Sequence, residues 1–154
     1  MGVIGLLTAA ASGLTFLPWG VVADRFGTST PLRLGSAIGL MGLIVYALAP
    51  NVAALWIAAV AIGASNAASE VGVIATISAQ TPLAARSPAM SGWNAVAGVR
   101  GLVASFTIST LVQTGLLDVT AGLLVCAAGA AAGAVLLWRI ASPLRRAGRQ
   151  EARP

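Results

Sequence analysis

A chain of 154 residues that is 58% hydrophobic and only 8% charged, with a mean hydropathy of +0.91, is poorly matched to water as a solvent, since soluble domains carry about 25% charged residues. Its formal charge of +5 does not mark a nucleic-acid binder: Arg139, Arg145, Arg146, Arg149 and Arg153 crowd the C-terminal end instead of studding a soluble fold. A single cysteine, Cys126, in an apolar run excludes an internal disulfide framework, a thiolate metal cluster or a CxxC pair.

The first charge-free run, residues 1–23, is too long for a core helix, because about 18 apolar residues already cross a bilayer. It reads as helix 1 over 3–22. The small residues Ala9 to Ser12 imitate a signal-peptide cleavage site, but no Lys or Arg precedes the run, so a mature span is expected. Helix 2 is expected over 31–49 and helix 3 over 52–79, separated by Pro50-Asn51. Thr81-Pro82 and Ser87-Pro88 bracket a loop before helix 4, over 89–114. A turn at Gly115 to Asp118 leads to helix 5 over 120–140, followed by a basic tail, 141–154. The expected fold class is therefore an all-α membrane protein of five transmembrane helices in one bundle, with the lipid bilayer as its first partner.

The loop charges orient this bundle. Arg25 and Arg33 flank the first loop, the second has no charge, Arg86 marks the third, the fourth has only Asp118, and the tail is basic. Because short Arg-rich loops stay in the cytoplasm, the alternation places the N-terminus outside and the C-terminus inside, in the plasma membrane. Trp19, Trp93 and Trp138 then fall near cytoplasmic ends, and Trp56 and Tyr46 near outer ends, as a headgroup belt or as ordinary helix packing. An outside N-terminus without a signal peptide leads to the expectation that something precedes helix 1 in the working assembly.

The first cytoplasmic loop reads Gly20-Val21-Val22-Ala23-Asp24-Arg25-Phe26-Gly27. Gly20 would let two helices approach closely, Gly27 would permit a left-handed turn, Asp24 would sit near a helix N-terminus, and Arg25 would hold the loop inside. A generic loop whose charges only set topology has the same composition. The sequence resembles the major facilitator superfamily signature G-x-L-A-D-R-x-G-R-R/K at Gly20, Ala23, Asp24, Arg25 and Gly27, with Val22 for the usual Leu and Thr28-Ser29 where the family has two basic residues. In that family the motif joins the second and third helices of a six-helix half. The resemblance implies that the five helices correspond to helices 8–12, with the basic tail as the true C-terminus. A small-molecule substrate and either a missing half or self-association as partner are implied with it.

Two ionisable residues lie inside spans, Glu70 in helix 3 and Arg100 in helix 4, at similar distances from the expected cytoplasmic ends. Such residues are costly in lipid and usually face a bundle interior or an aqueous cavity. They are expected to pair across adjacent antiparallel helices, as a lock between helices or as part of a substrate or proton path. Ser65, Asn66, Ser69 and Glu70 form a polar stripe at helical spacing; the resemblance implies that this helix lines the central cavity. On helix 4, Asn94 and Arg100 are the polar features, and Ala97, Gly101, Ser105 and Ser109 form a small-residue ridge suited to close packing. Gly35-x-x-x-Gly39 and Gly129-x-x-x-Gly133 read as packing motifs.

Enzyme chemistry finds no foothold. There is no histidine, metal-ligand cluster, phosphate-binding Gly-rich loop ending in Lys-Ser/Thr, or G-x-S-x-G elbow. No cofactor and no metal are expected. The expected function is transport of a small solute as part of a secondary transporter, possible proton-coupled efflux included; a non-transporting membrane subunit is the other reading.

Overall fold

The computed structural model describes residues 2–116 and 118–151; the side chains of Arg100, Ser105 and 137–151 lie outside the described set. The order is α1 (Gly2–Phe26), α2 (Ser29–Ala47), α3 (Val52–Gln80), α4 (Leu83–Gln113) and α5 (Val119–Glu151). Each contains a stretch long and apolar enough to cross a membrane.

Local chemistry sets the helix ends. α1 stops because Gly27 takes a positive φ of 89°, and its N–H returns to the Ala23 carbonyl at 2.9 Å, a glycine-terminated helix end. Asn51 caps α3, its side chain accepting from the Ala54 N–H at 2.9 Å. Thr81 is extended (φ −111°, ψ 130°), as the residue before a proline prefers, so α3 ends there. Gly115, with φ 71°, ends α4, and the Asp118 carboxylate accepts from the Ala121 N–H at 2.6 Å to start α5.

Two boundaries differ from expectation. α4 begins at Leu83, so Ser87 and Pro88 lie inside the helix rather than in a loop. The break is complete at Thr81-Pro82, whereas α4 continues through Pro88, which leaves the Ala84 carbonyl without its helical N–H donor. α5 continues past residue 140 to Glu151, so most of the stretch expected as a tail is helical; residues 152–154 lie outside the described ones.

The bundle is organised around α3. α2 lies antiparallel to it, and the seam can be followed residue by residue: Leu32 sits over Gly72, Gly35 over Ala68, Gly39 over Ser65, and Gly42 over Ile62 and Ala61. A Cβ added at Gly35 or Gly39 would collide with Ala68 or Ser65, and one at Gly72 would lie 2.6 Å from Leu32 Cγ. α1 packs on another face of α3, where Gly63 meets the Thr8 carbonyl and Ala11. Gly63 and Ala68 are about 140° apart around the helix, so α1 and α2 hold nearly opposite sides of α3. α5 packs on α2, whereas α4 touches α3 and α5 only lightly, and α1 and α2 barely meet.

Every fully buried residue among those described is Ala, Gly or Pro, including Ala58, Ala59, Ala67, Ala68 and Pro31. The large apolar side chains lie outside: Leu17 is 83% exposed, Leu14 79% and Phe106 76%. A water-soluble domain buries its Leu, Ile and Phe; helices that associate in an apolar solvent place small residues at the contacts, where backbones approach closely.

Gly63→Ala, which drives a methyl into the Thr8 carbonyl, is expected to destabilise by about 1–3 kcal/mol. Gly129→Ala, with open space around the added atom, is expected to be neutral or stabilising by up to about 1 kcal/mol. Thermal unfolding in detergent compares the two.

Candidate functional site

The polar stripe of α3 is defined by what the packing leaves over. With α1 over Gly63 and α2 over Ser65, Ala68 and Gly72, Asn66 and Ser69 fall on the flank between these two faces. Glu70 lies two turns beyond Gly63, close to the line that faces α1. Asn66 is exposed, and Ser69 and Glu70 are half-buried; no polar or charged side chain among the described residues is fully buried. Glu70 is thus a half-buried acidic residue on the α1 side of an apolar helix. Ser65 belongs to the packing seam, its hydroxyl set against Gly39.

On α4, Asn94 is exposed. The Arg100 side chain lies outside the described ones, so the expected Glu70–Arg100 pair is not among the contacts the structure defines. α4 itself meets α3 at only a small patch. The ridge expected to pack closely does not do so within this chain: Gly101 and Ser109 are exposed, and nothing lies within 4 Å of a Cβ built at Gly101. Gly129 and Gly133 are likewise open, in contrast to Gly35 and Gly39.

The Gly20–Gly27 loop is mostly helix. Gly20, Asp24 and Arg25 occupy the last turns of α1, and only Gly27 and Thr28 lie between α1 and α2. Thr30 tightens the turn, its N–H donating to the Gly27 carbonyl at 3.0 Å and its hydroxyl to the Phe26 carbonyl at 2.9 Å. Gly27 has the left-handed conformation expected of it. Gly20 does not mediate a close approach, since a Cβ there would meet nothing within 4 Å. Asp24 sits at the C-terminal end of α1, and α2 starts without a side-chain cap; the stabilising charge at that helix end is Arg25, a cation near the negative pole of α1. Asp24 and Arg25 are both exposed.

Two features were not visible as sequence motifs. The Trp19 indole N–H donates to the Ala64 carbonyl at 2.9 Å, tying α1 to α3, so Trp19 is a packing residue rather than only a belt aromatic. Arg33, expected only as a topology signal, is half-buried with its Nε withdrawn from solvent. Between α4 and α5 lies an open, apolar groove of about 450 Å³ lined by Ile108, Val112, Val119 and Cys126 among others. None of the candidate residues lines it, and among the described residues no cluster of His, Cys, Asp or Glu is suited to hold a metal.

Comparison with known proteins adds no relative: no family model, no curated protein and no solved structure matches this chain.

Gly27→Ala places a methyl on a backbone with φ 89° and is expected to cost about 1–2 kcal/mol. Gly20→Ala, in open space within α1, is expected to be neutral or stabilising by up to about 1 kcal/mol. Limited proteolysis at the α1–α2 turn and unfolding in detergent distinguish the two.

Proposed function

We propose that this chain forms part of a major-facilitator-type secondary transporter. It crosses the plasma membrane five times, with the N-terminus outside and the C-terminus in the cytoplasm, and moves a small solute by rocking of one helical half against another. The observation that carries the reading is the turn at Asp24-Arg25-Phe26-Gly27, where the signature-like sequence coincides with a tight helix–helix connection whose glycine adopts a positive φ. Support comes from α3, because an otherwise apolar helix offers Asn66 and Ser69 on the flank between α1 and α2, with a half-buried Glu70 beside α1.

In this reading Asn66 and Ser69 contact solute, and Glu70 exchanges a proton with the pathway. Asn94 and Arg100 are contributed from α4, and Arg100 balances the Glu70 charge when the helices close. The five helices do not enclose a passage by themselves, since α4 stands at the margin with its small-residue ridge uncovered. Further helices are supplied by the rest of a longer protein, a partner half or a second copy. The open faces at Gly98, Gly101, Gly129 and Gly133 equally favour a second reading, a membrane subunit that packs against other helices without transporting.

Proteoliposomes loaded with the pH-sensitive dye pyranine test transport against a panel of amino acids, sugars and cationic dyes, with the chain alone and with its flanking coding sequence. Solute-dependent proton flux that disappears in Glu70→Gln, with insertion unchanged, is the expected result. No flux with any solute in either form leaves the subunit reading.

Orientation has its own test. In a Cys126→Ala background, a membrane-impermeant maleimide is expected to label Thr28→Cys only from the cytoplasmic side and Asn51→Cys only from the outside. The reverse pattern overturns the topology.

A further inference from the structure

The groove between α4 and α5 takes its shape from one contact. The two helices meet where Gly122 lies against Ile108 and Val112, a Cβ built there falling 3.4 and 3.6 Å from their methyl carbons, and overall α4 touches α5 only lightly. Beyond that contact the walls are small: Ala104 and Cys126 line the floor, and one turn further Gly101 and Gly129 have nothing within 4 Å of an added Cβ. From Gln113 and Val119 at its mouth to Ala104 and Cys126 the groove runs about 10–14 Å by helical rise. The mouth is polar and of one sign. Gln113 Nε2 donates to Ser109 Oγ at 3.2 Å, which leaves the Gln113 amide oxygen to accept. Asp118, the neighbour of the lining residue Val119, is exposed. Its carboxylate accepts from the Ala121 N–H, and no cation pairs with it among the described residues. At the end of the bundle formed by the α2–α3 and α4–α5 turns, Asp118 is the one charged side chain among those described; Arg25, Arg33 and Arg86 lie at the other end. Arg100, whose side chain is outside the described set, is about 20 Å from Gln113 along α4.

We infer that this groove binds a single-chain amphiphile with a cationic head, an alkylammonium. The tail lies along Ala104, Ile108, Val112 and Cys126, and the ammonium donates to the Asp118 carboxylate and to the Gln113 amide oxygen. In a bilayer the tail only replaces a lipid chain that would otherwise fill the trough, so selection comes from the head. Charge complementarity decides it: the carboxylate repels an anionic headgroup, and an uncharged one gains no ion pair. An ammonium is also the better partner for the mouth, because it has three donors and no acceptor, and hydrogen bonds to a carboxylate are stronger when the donor is charged. The negative pole at the C-terminal end of α4 offsets the positive pole at the start of α5, so the carboxylate sets the sign of the mouth. The inference rests on α4 and α5 as membrane spans but not on transport or on which side is outside, and it fails separately from both.

Cys126, in the wall of the groove, is the reporter. The full chain in phosphatidylcholine nanodiscs is reacted at neutral pH with the thiol-specific reagent methyl methanethiosulfonate, and the rate is read by intact-protein mass spectrometry. Dodecylammonium, dodecanol or dodecyl sulfate is present at matched mole fractions in the bilayer. Dodecylammonium is expected to reach half-protection at a mole fraction about fivefold below that of dodecanol, the size of an exposed charge pair, and dodecyl sulfate to protect least. Asp118→Asn keeps a helix-capping side chain without the charge and is expected to bring dodecylammonium and dodecanol together. Asp118→Ser, also a capping residue, takes its place if that variant does not fold. Val125→Cys in a Cys126→Ala background reports from the neighbouring exposed position, where no advantage of dodecylammonium is expected. Absent or equal protection by the three amphiphiles, a dodecylammonium advantage that survives loss of the Asp118 charge, or the same advantage at position 125 overturns the proposal.

Discussion

The contact on which the rest of the structure depends is the antiparallel seam between α2 and α3. Between helices in an apolar solvent no hydrophobic force operates, and association comes from dispersion over closely matched surfaces. Dispersion falls off steeply with separation, so the backbones must approach, and only Gly, Ala and Ser allow it. The steps Leu32–Gly72, Gly35–Ala68, Gly39–Ser65 and Gly42–Ile62 repeat every three or four residues on both helices. Each close step sets the distance between the two backbones. The outward Leu, Val and Phe side chains are the other half of the same design, a surface compatible with acyl chains.

The candidate site inherits its position from that seam. α3 commits one face to Gly35, Gly39 and Gly42 and another to Thr8 and Ala11, and its polar residues fall beside these contacts. Asn66 and Ser69 are kept out of the packing by their angular position, and Glu70 stays half-buried along the α1 side. The Trp19–Ala64 hydrogen bond reinforces the same arrangement, because it joins α1 to α3 in the turn just before Asn66. α3 is thus both the structural axis of the bundle and the bearer of Glu70, an acid in the middle of an apolar helix.

Much of the helical architecture was legible in composition. Charge-free runs and the turn formers Pro50-Asn51 and Gly115–Asp118 place the helices, and the Gly27 turn follows from a glycine at the end of an apolar run. Helix ends were less legible where proline appears twice. Pro82 stands at the break before α4 and Pro88 lies inside α4, a distinction the two X-Pro pairs do not carry in sequence. The arginine-rich end reads as a tail by composition, although Arg, Ala, Leu and Gln are good helix formers that extend α5. Gly35-x-x-x-Gly39 and Gly129-x-x-x-Gly133 are indistinguishable as patterns, yet one is filled and the other open. A pattern states that close approach is possible, and only the fold decides whether a neighbour arrives. The same holds for Gly20 and for the Ala97–Ser109 ridge.

The position of α3 also has a consequence for how the chain assembles during synthesis. α1 and α2 emerge first, yet they barely touch each other, and each packs mainly on α3, or for α2 on α3 and α5. The first hairpin therefore has little to hold it together until most of the third helix has left the ribosome. Folding of the N-terminal part is not sequential in the order of the chain; it waits for a late-arriving centre and then closes from both sides at once. A pause in translation once α3 has cleared the ribosomal exit tunnel would favour correct assembly, whereas one that holds α3 inside the tunnel would leave two weakly associated helices open to other partners.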